Sequence, residues 1–136
     1  AIANKGVLET PHFLISKGGQ NVSWDSPGRA ISEDTAEEVT DMMRTVVQEG
    51  TAVKAQVKGY DIAGKTGTGE QADESGGYAS NKYVSSLIGF APAGDAELLV
   101  YVGLNGTPYL ASGSAAPLFS TIMGPSLINM RVKPSA

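Results

Sequence analysis

Two strand-like runs joined by one tight turn set the firmest limit on how this chain can fold. Residues 83–91 alternate, with Val84, Ile88 and Phe90 on one side and Tyr83 and Leu87 on the other, the period-two pattern of a strand. Residues 98–104, from Leu98 to Leu104, are apolar on both sides, as expected of a central strand covered on each face. Pro92-Ala93-Gly94-Asp95 between them has turn chemistry and is too short for a parallel crossover, so the two runs should pair antiparallel. A third strand is expected upstream, where Tyr60, Ile62 and Gly64 alternate with Asp61 and Ala63 and run into Lys65-Thr66-Gly67-Thr68. Such a sheet needs helices to cover it.

Two helices are legible. Residues 32–49 open with Ser32 or Thr35 as cap, and Thr35 with Glu38 fits a capping box. Glu33, Asp34, Glu37 and Glu38 crowd the end where the helix dipole is positive, and read as a solvated face. Ala36, Val39, Met43 and Val46 mark the buried side, and Gly50 is a natural stop. The second helix spans about residues 115–130, capped by Ser114, with Pro117 in its first turn. Its stripe is Phe119, Ile122, Met123, Leu127 and Met130; Gly124-Pro125 in its middle predicts a kink or break. Residues 5–31 predict short strands or a small hairpin, Val53–Lys58 a weak strand, and the polar, glycine-rich residues 69–82 a loop. The order helix, strand, strand, strand, helix gives an α+β class: an antiparallel β-sheet with flanking helices.

Composition removes several functions. The 136 residues allow one domain or part of one, and the net charge of −4 argues against general nucleic-acid binding. With no cysteine there is no disulfide, thiolate metal site or cysteine nucleophile. The single histidine, His12, cannot build a multi-histidine metal cluster and is read as an ordinary surface or loop residue, whereas Trp24 is read as packing locally. No metal or cofactor is predicted. The longest apolar stretch, Leu98 to Leu104, is too short to span a bilayer.

Gly59-Tyr60-Asp61-Ile62-Ala63-Gly64-Lys65-Thr66 matches the phosphate-loop pattern G-x-x-x-x-G-K-[ST] by letters. That loop must follow a buried strand and open a helix, so that main-chain N–H groups meet the phosphates. Here the interior alternates like a strand and residues 67–77 carry no helical pattern. The nucleotide reading is therefore set aside. The other parse places Lys65-Thr66-Gly67-Thr68 at a strand end, where a lysine beside small hydroxyl residues makes a carboxylate-binding, proton-transferring strip. Gly67, with no side chain, would let a substrate backbone lie against the strand. K-T-G is the third signature of the penicillin-recognising serine enzymes, after S-x-x-K and S-x-[ND]. Alone, it fits equally well a lysine guarding a sheet edge against aggregation.

The surrounding residues extend the match. Ala1-Ile2-Ala3-Asn4-Lys5-Gly6-Val7, Val46-Val47-Gln48-Glu49-Gly50-Thr51-Ala52, Ala63 to Thr68, Lys82 to Pro92 and Ser114-Ala115-Ala116-Pro117-Leu118-Phe119 occur in order. They resemble A-x-A-N-G-G-V, V-V-x-x-G-T-A, A-G-K-T-G-T, K-Y-V-A-S-F-V-G-F-A-P and the A-A-P-V-F helix start of class B penicillin-binding proteins. The likeness is to the C-terminal half of the transpeptidase domain, nearest the cell-division type of actinobacteria. Leu87 stands where the family has Phe, Gly69 where it has Ala, and Lys5 where it has Gly.

The resemblance implies a penicillin-binding transpeptidase, serine β-lactamase-like domain, of which residues 1–136 are a C-terminal portion. It implies peptidoglycan D,D-transpeptidation through a serine acyl-enzyme, with D-Ala-D-Ala stem peptides and β-lactams as ligands and cell-division proteins as partners. It also implies a site at the outer face of the cell membrane, reached through an upstream anchor, the fragment itself being soluble. On the matched positions Lys65, Thr66, Gly67 and Thr68 would bind substrate, Lys65 would carry charge and protons, and the Thr68 N–H would serve the oxyanion hole. No serine here is followed three residues later by lysine, so the nucleophile is expected upstream and the piece alone is expected to be inactive. A non-catalytic fold fragment or interaction module, and part of a D,D-carboxypeptidase, are the alternative readings.

Overall fold

The computed structural model describes residues 1–73 and 75–135. After a 3-10 turn at Ile2–Asn4, four two-residue strands make two small ladders. The outer ladder pairs β1 (Val7–Leu8) with β4 (Gly28–Arg29); the inner pairs β2 (Ser16–Lys17) with β3 (Gln20–Asn21), turning at Gly18-Gly19. The small hairpin read from the sequence is thus present. Trp24 packs within this segment as predicted: its ring stacks on His12 with centroids 5.1 Å apart, and its Nε1 donates to the Leu14 carbonyl at 3.0 Å.

Helix α1 (Glu33–Gln48) is capped by Ser32, whose Oγ accepts the Thr35 N–H at 3.1 Å. Of the two candidate caps, Thr35 therefore lies inside the first turn. Ala36, Thr40 and Val47 are buried, with Val39, Met43 and Val46 half-buried beside them. Thr40 tolerates burial because its hydroxyl donates to the Ala36 carbonyl at 2.8 Å. Arg44 on this helix donates through Nε to Asp61 at 2.7 Å and also pairs with Asp41. Partial burial pulls its pKa down, but the hydrogen bonds and charges of Asp61 and Asp41 outweigh that and hold it above the ordinary value. At the far end Gly50 closes the helix by close approach: a Cβ there would lie 2.9 Å from the Val46 carbonyl oxygen. The chain then forms a 3-10 turn at Val53–Ala55, not the weak strand expected from Val53–Lys58.

The main sheet has the order β5-β6-β7, from β5 (Ala63–Ala72), β6 (Tyr78–Ala91) and β7 (Leu98–Thr107), antiparallel throughout. Three expectations need correction. The third strand begins at Ala63, not Tyr60. Residues 69–82 are mostly strand, because Gly69 and Glu70 still pair with Val84 and Tyr83, β5 runs to Ala72 and β6 begins at Tyr78. Among the described residues β6 is central and β7 is an edge, with Leu99 and Tyr101 on its open side.

Helix α2 (Ala115–Asn129) packs on one face of this sheet. Ala116, Phe119, Met123 and Leu127 are fully buried there, against Leu87 and Val102 from the strands and Val47 from α1. Ile122 and Met130, assigned to the buried stripe from the sequence, are instead 41% and 52% exposed. Nor does the helix break at Gly124-Pro125; it runs on to Asn129. Thr121 and Ser126 donate their hydroxyls back to Pro117 and Ile122 carbonyls around the proline. Ser114 occupies the cap position, but its hydroxyl donates to Leu110 and Tyr109 carbonyls rather than accepting from the helix.

Candidate functional site

Strand β5 leads Lys65-Thr66-Gly67-Thr68 along a free edge, with β6 on its other side. The strand runs on past Thr66 to Ala72 where a phosphate loop would open a helix, so the phosphate-loop match is one of letters only. Register fixes the faces. Thr66 lies opposite Leu87 and Thr68 opposite Ser85, on the side covered by α2; Lys65 lies opposite Ile88, on the open side. The Gly67 carbonyl accepts the Ser86 hydroxyl of the neighbouring strand at 3.5 Å, so it faces inward. Alternation along an antiparallel strand then turns the main-chain groups of Thr66 and Thr68 toward the free edge. Lys65 is exposed, and its Nζ donates to the Thr66 carbonyl at 2.6 Å, over that same edge. The edge thus gathers one ammonium, two hydroxyls and the outward N–H groups of Thr66 and Thr68. At Gly67 a Cβ would sit 2.7 Å from the Ser86 Oγ, so any side chain there would have to turn that hydroxyl aside.

Both hydroxyls are tied from behind. Thr66 Oγ1 meets Thr51 Oγ1 at 2.7 Å, and Thr68 Oγ1 accepts the Ala111 N–H at 3.2 Å. Ala111 is 1% exposed, so Thr68 satisfies a buried amide that would otherwise lack this partner. The segment carrying that amide is held in turn by Ser85, fully buried, whose hydroxyl donates to the Tyr109 carbonyl at 2.7 Å. Thr51, Ser86 and the Ala111 amide are absent from any reading of the K-T-G letters. Of these Thr51 and Ser86 had a signal, as the Thr of the G-T-A run and the Ser of the Lys82 to Pro92 run; the Ala111 amide had none.

Beyond the strip, the arm of β5 and β6 ends in a turn organised by Asp73. Its carboxylate accepts the Ser75 hydroxyl at 2.6 Å and the N–H groups of Ser75 and Gly77 at 2.8 and 3.1 Å. Those bonds, the Ser75 hydroxyl first, hold its pKa below the ordinary carboxylate value. Cavities of about 140 and 590 Å³ lie elsewhere, and neither is lined by Lys65, Thr66 or Thr68. The strip is a wall, not an enclosed pocket.

The letters S-x-D occur twice, as Ser23-Trp24-Asp25 and Ser32-Glu33-Asp34. Neither joins the strip. Ser32 caps the far end of α1, whose 16 residues span roughly 24 Å at 1.5 Å per residue, and Ser23 lies in the N-terminal segment beside Trp24.

The family profile described as the penicillin-binding protein transpeptidase domain matches residues 1–124. The chain belongs to that family. It is 37% identical to stage V sporulation protein D of Bacillus subtilis over 98% of this chain and 22% of that protein. With penicillin-binding protein PbpB of Mycolicibacterium smegmatis it shares 36% identity, over 89% of this chain and 21% of the relative. A crystal structure from Atopobium parvulum, named as a peptidoglycan glycosyltransferase, superimposes with a TM-score of 0.88 at 48% identity, covering 98% of this chain and 32% of the other. Penicillin-binding protein 3 of Mycobacterium tuberculosis, complexed with ampicillin, gives a TM-score of 0.82 at 32% identity over 98% of this chain and 33% of that one. The α+β architecture of this penicillin-binding protein chain is that of its solved relatives. It spans about a fifth of the length of these two sequence relatives. Among the described residues no helix is long and apolar enough to cross a membrane.

Proposed function

We propose that residues 1–136 are the C-terminal portion of a transpeptidase domain, and that the whole protein is a peptidoglycan D,D-transpeptidase acting at the outer face of the membrane. The observation that carries this reading is the K-T-G-T strip on the free edge of β5, in a chain of this family. The Lys65 ammonium and the Thr66 and Thr68 hydroxyls would hold the terminal carboxylate of a D-Ala-D-Ala stem, with Gly67 leaving room for its backbone. The outward N–H of Thr68 would be one oxyanion donor, a contact worth roughly 3–4 kcal/mol of barrier lowering.

A serine supplied from outside these 136 residues would attack the carbonyl carbon of the penultimate D-alanine. The C–N bond to the terminal D-alanine breaks, and the serine's proton reaches that leaving amine through the lysines of the cleft. An acceptor stem amine then attacks the ester, forms the new amide and returns the proton to the serine. A β-lactam carries its leaving amine within the ring, so it stays attached and the acyl-enzyme persists. Cell-division proteins are the partners this reading favours, on the resemblance to cell-division relatives.

The test uses the protein made from its complete reading frame and a fluorescent penicillin. The label should map to one serine outside residues 1–136, and Lys65→Ala should slow labelling by on the order of a hundredfold or more. Label on Ser23 or Ser32, or a folded protein that takes none, would sink the reading. Cross-linked dimer as product supports a transpeptidase; free D-alanine alone would make it a carboxypeptidase.

A further inference from the structure

We infer that Thr51 is a positioning residue for the carboxylate strip, keeping the Thr66 hydroxyl free to donate outward; this rests on the transpeptidase reading. Thr51 comes from the corner after α1, and its Oγ1 lies 2.7 Å from Thr66 Oγ1. The corner is stiff on both sides. Gly50 is pressed against Val46, while Ala52 is 0% exposed and donates its N–H to the Val46 carbonyl at 3.1 Å. Between these fixed points the main chain of Thr51 is held where its hydroxyl reaches Thr66.

A threonine hydroxyl has one proton and two lone pairs, so its neighbours decide where the proton goes. Thr68 shows the arrangement without ambiguity: the Ala111 N–H can only donate, so Thr68 Oγ1 accepts and its proton is left for another partner. Thr51 stands in the equivalent place behind Thr66. When Thr51 donates, the Thr66 proton is released toward the edge. A bound carboxylate, which only accepts, selects that direction, and the chain from Thr51 through Thr66 to the carboxylate is mutually polarised. Each hydroxyl of the strip is then backed by a donor. One backing is a main-chain amide that no substitution of Ala111 short of proline removes, and the other is a side chain that can be removed.

The experiment compares Thr51→Val, close in shape but without the hydroxyl, with Thr51→Ser, which keeps it, in the protein from the complete reading frame. Acylation rates are measured with ampicillin and with its methyl ester, whose carboxylate is blocked. Thr51→Val should slow ampicillin on the order of five- to tenfold and the ester by no more than about twofold, and Thr51→Ser should restore the ampicillin rate. Equal losses with both probes would make Thr51 a merely structural residue and overturn the inference, as would no loss with either. A wild-type protein that reacts with neither probe overturns the transpeptidase reading itself and takes the inference with it.

Discussion

Leu87 and Ile88 are consecutive residues of the central strand, yet the first is 0% exposed and the second 42%. The difference belongs to the two faces of the sheet. Leu87 shares its face with Val102 and the fully buried Phe119 of α2, while Ile88 shares the other with Lys65 and Tyr101. On the helix-covered face the chain supplies its own core. The open face is covered at one end, where Phe90 and Ala63 are buried against Ile2, Ala3 and Met43; elsewhere on it Val84, Leu99 and Tyr101 are 43% to 63% exposed, so apolar residues remain there without cover from the described residues. The K-T-G-T strip lies at the margin of both faces, with its threonines toward the packed side and its lysine toward the open one. One side of the strip is rigid, and the other is accessible.

The largest effect tests that contrast directly. Leu87→Ala should destabilise the 136-residue chain by about 2–5 kcal/mol, the range for emptying a packed site. Ile88→Ala should cost less, about 1 kcal/mol in the same urea titration, because Ile88 is 42% exposed and its truncation empties no enclosed site. Equal costs in this chain would break the contrast. If the cost of Ile88→Ala in the whole protein rises toward that of Leu87→Ala, the open face is covered there by other parts of the protein.

A smaller effect tests the packed side of the strip. Thr68→Val leaves the buried Ala111 N–H without its acceptor, a loss of about 1–3 kcal/mol. Amide exchange at Ala111 should accelerate more than exchange at core positions such as Phe119. Unchanged exchange would mean that Thr68 is no part of the packing and serves the edge alone.

Helix α1, the antiparallel turn between residues 83–91 and 98–104 and the edge position of Lys65 were legible because each depends on local periodicity, turn chemistry or a local cap. The S-T pair at Ser32 and Thr35 left one ambiguity, resolved by which residue's backbone is still outside the helix. Residues 69–82 were misread because a ladder needs only paired main-chain groups, and Gly69 and Glu70 supply these without any hydrophobic pattern. The continuous α2 was hidden because propensity condemns Gly124-Pro125 locally, whereas burial of Phe119, Met123 and Leu127 on either side outweighs it. At the strip, the letters gave Lys65, Thr66, Gly67 and Thr68 but not what stands behind them. Thr51 and Ala111 reach the threonines across 15 and 43 residues of sequence, and such contacts exist only once the chain is folded.

The mildest prediction separates the arm of β5 and β6 from the sheet that carries it. At the tip, the Asp73 carboxylate is exposed and accepts hydrogen bonds from Ser75 and Gly77, which lower its pKa in the folded chain. A depressed acid stabilises the fold above its ordinary value, and that contribution is lost as pH falls through the lowered one. The turn should therefore be intact at neutral pH and loosen only in acid, below the ordinary carboxylate range. The amide NMR shifts of Ser75 and Gly77 should move together in that window, while amides of β6 near Leu87 stay put. Asp73→Asn should remove the pH response, since a neutral amide oxygen accepts the same bonds without titrating. If the two amides instead move at the ordinary carboxylate value, the carboxylate gains nothing from the turn and the order of the arm comes from the strand pairing alone.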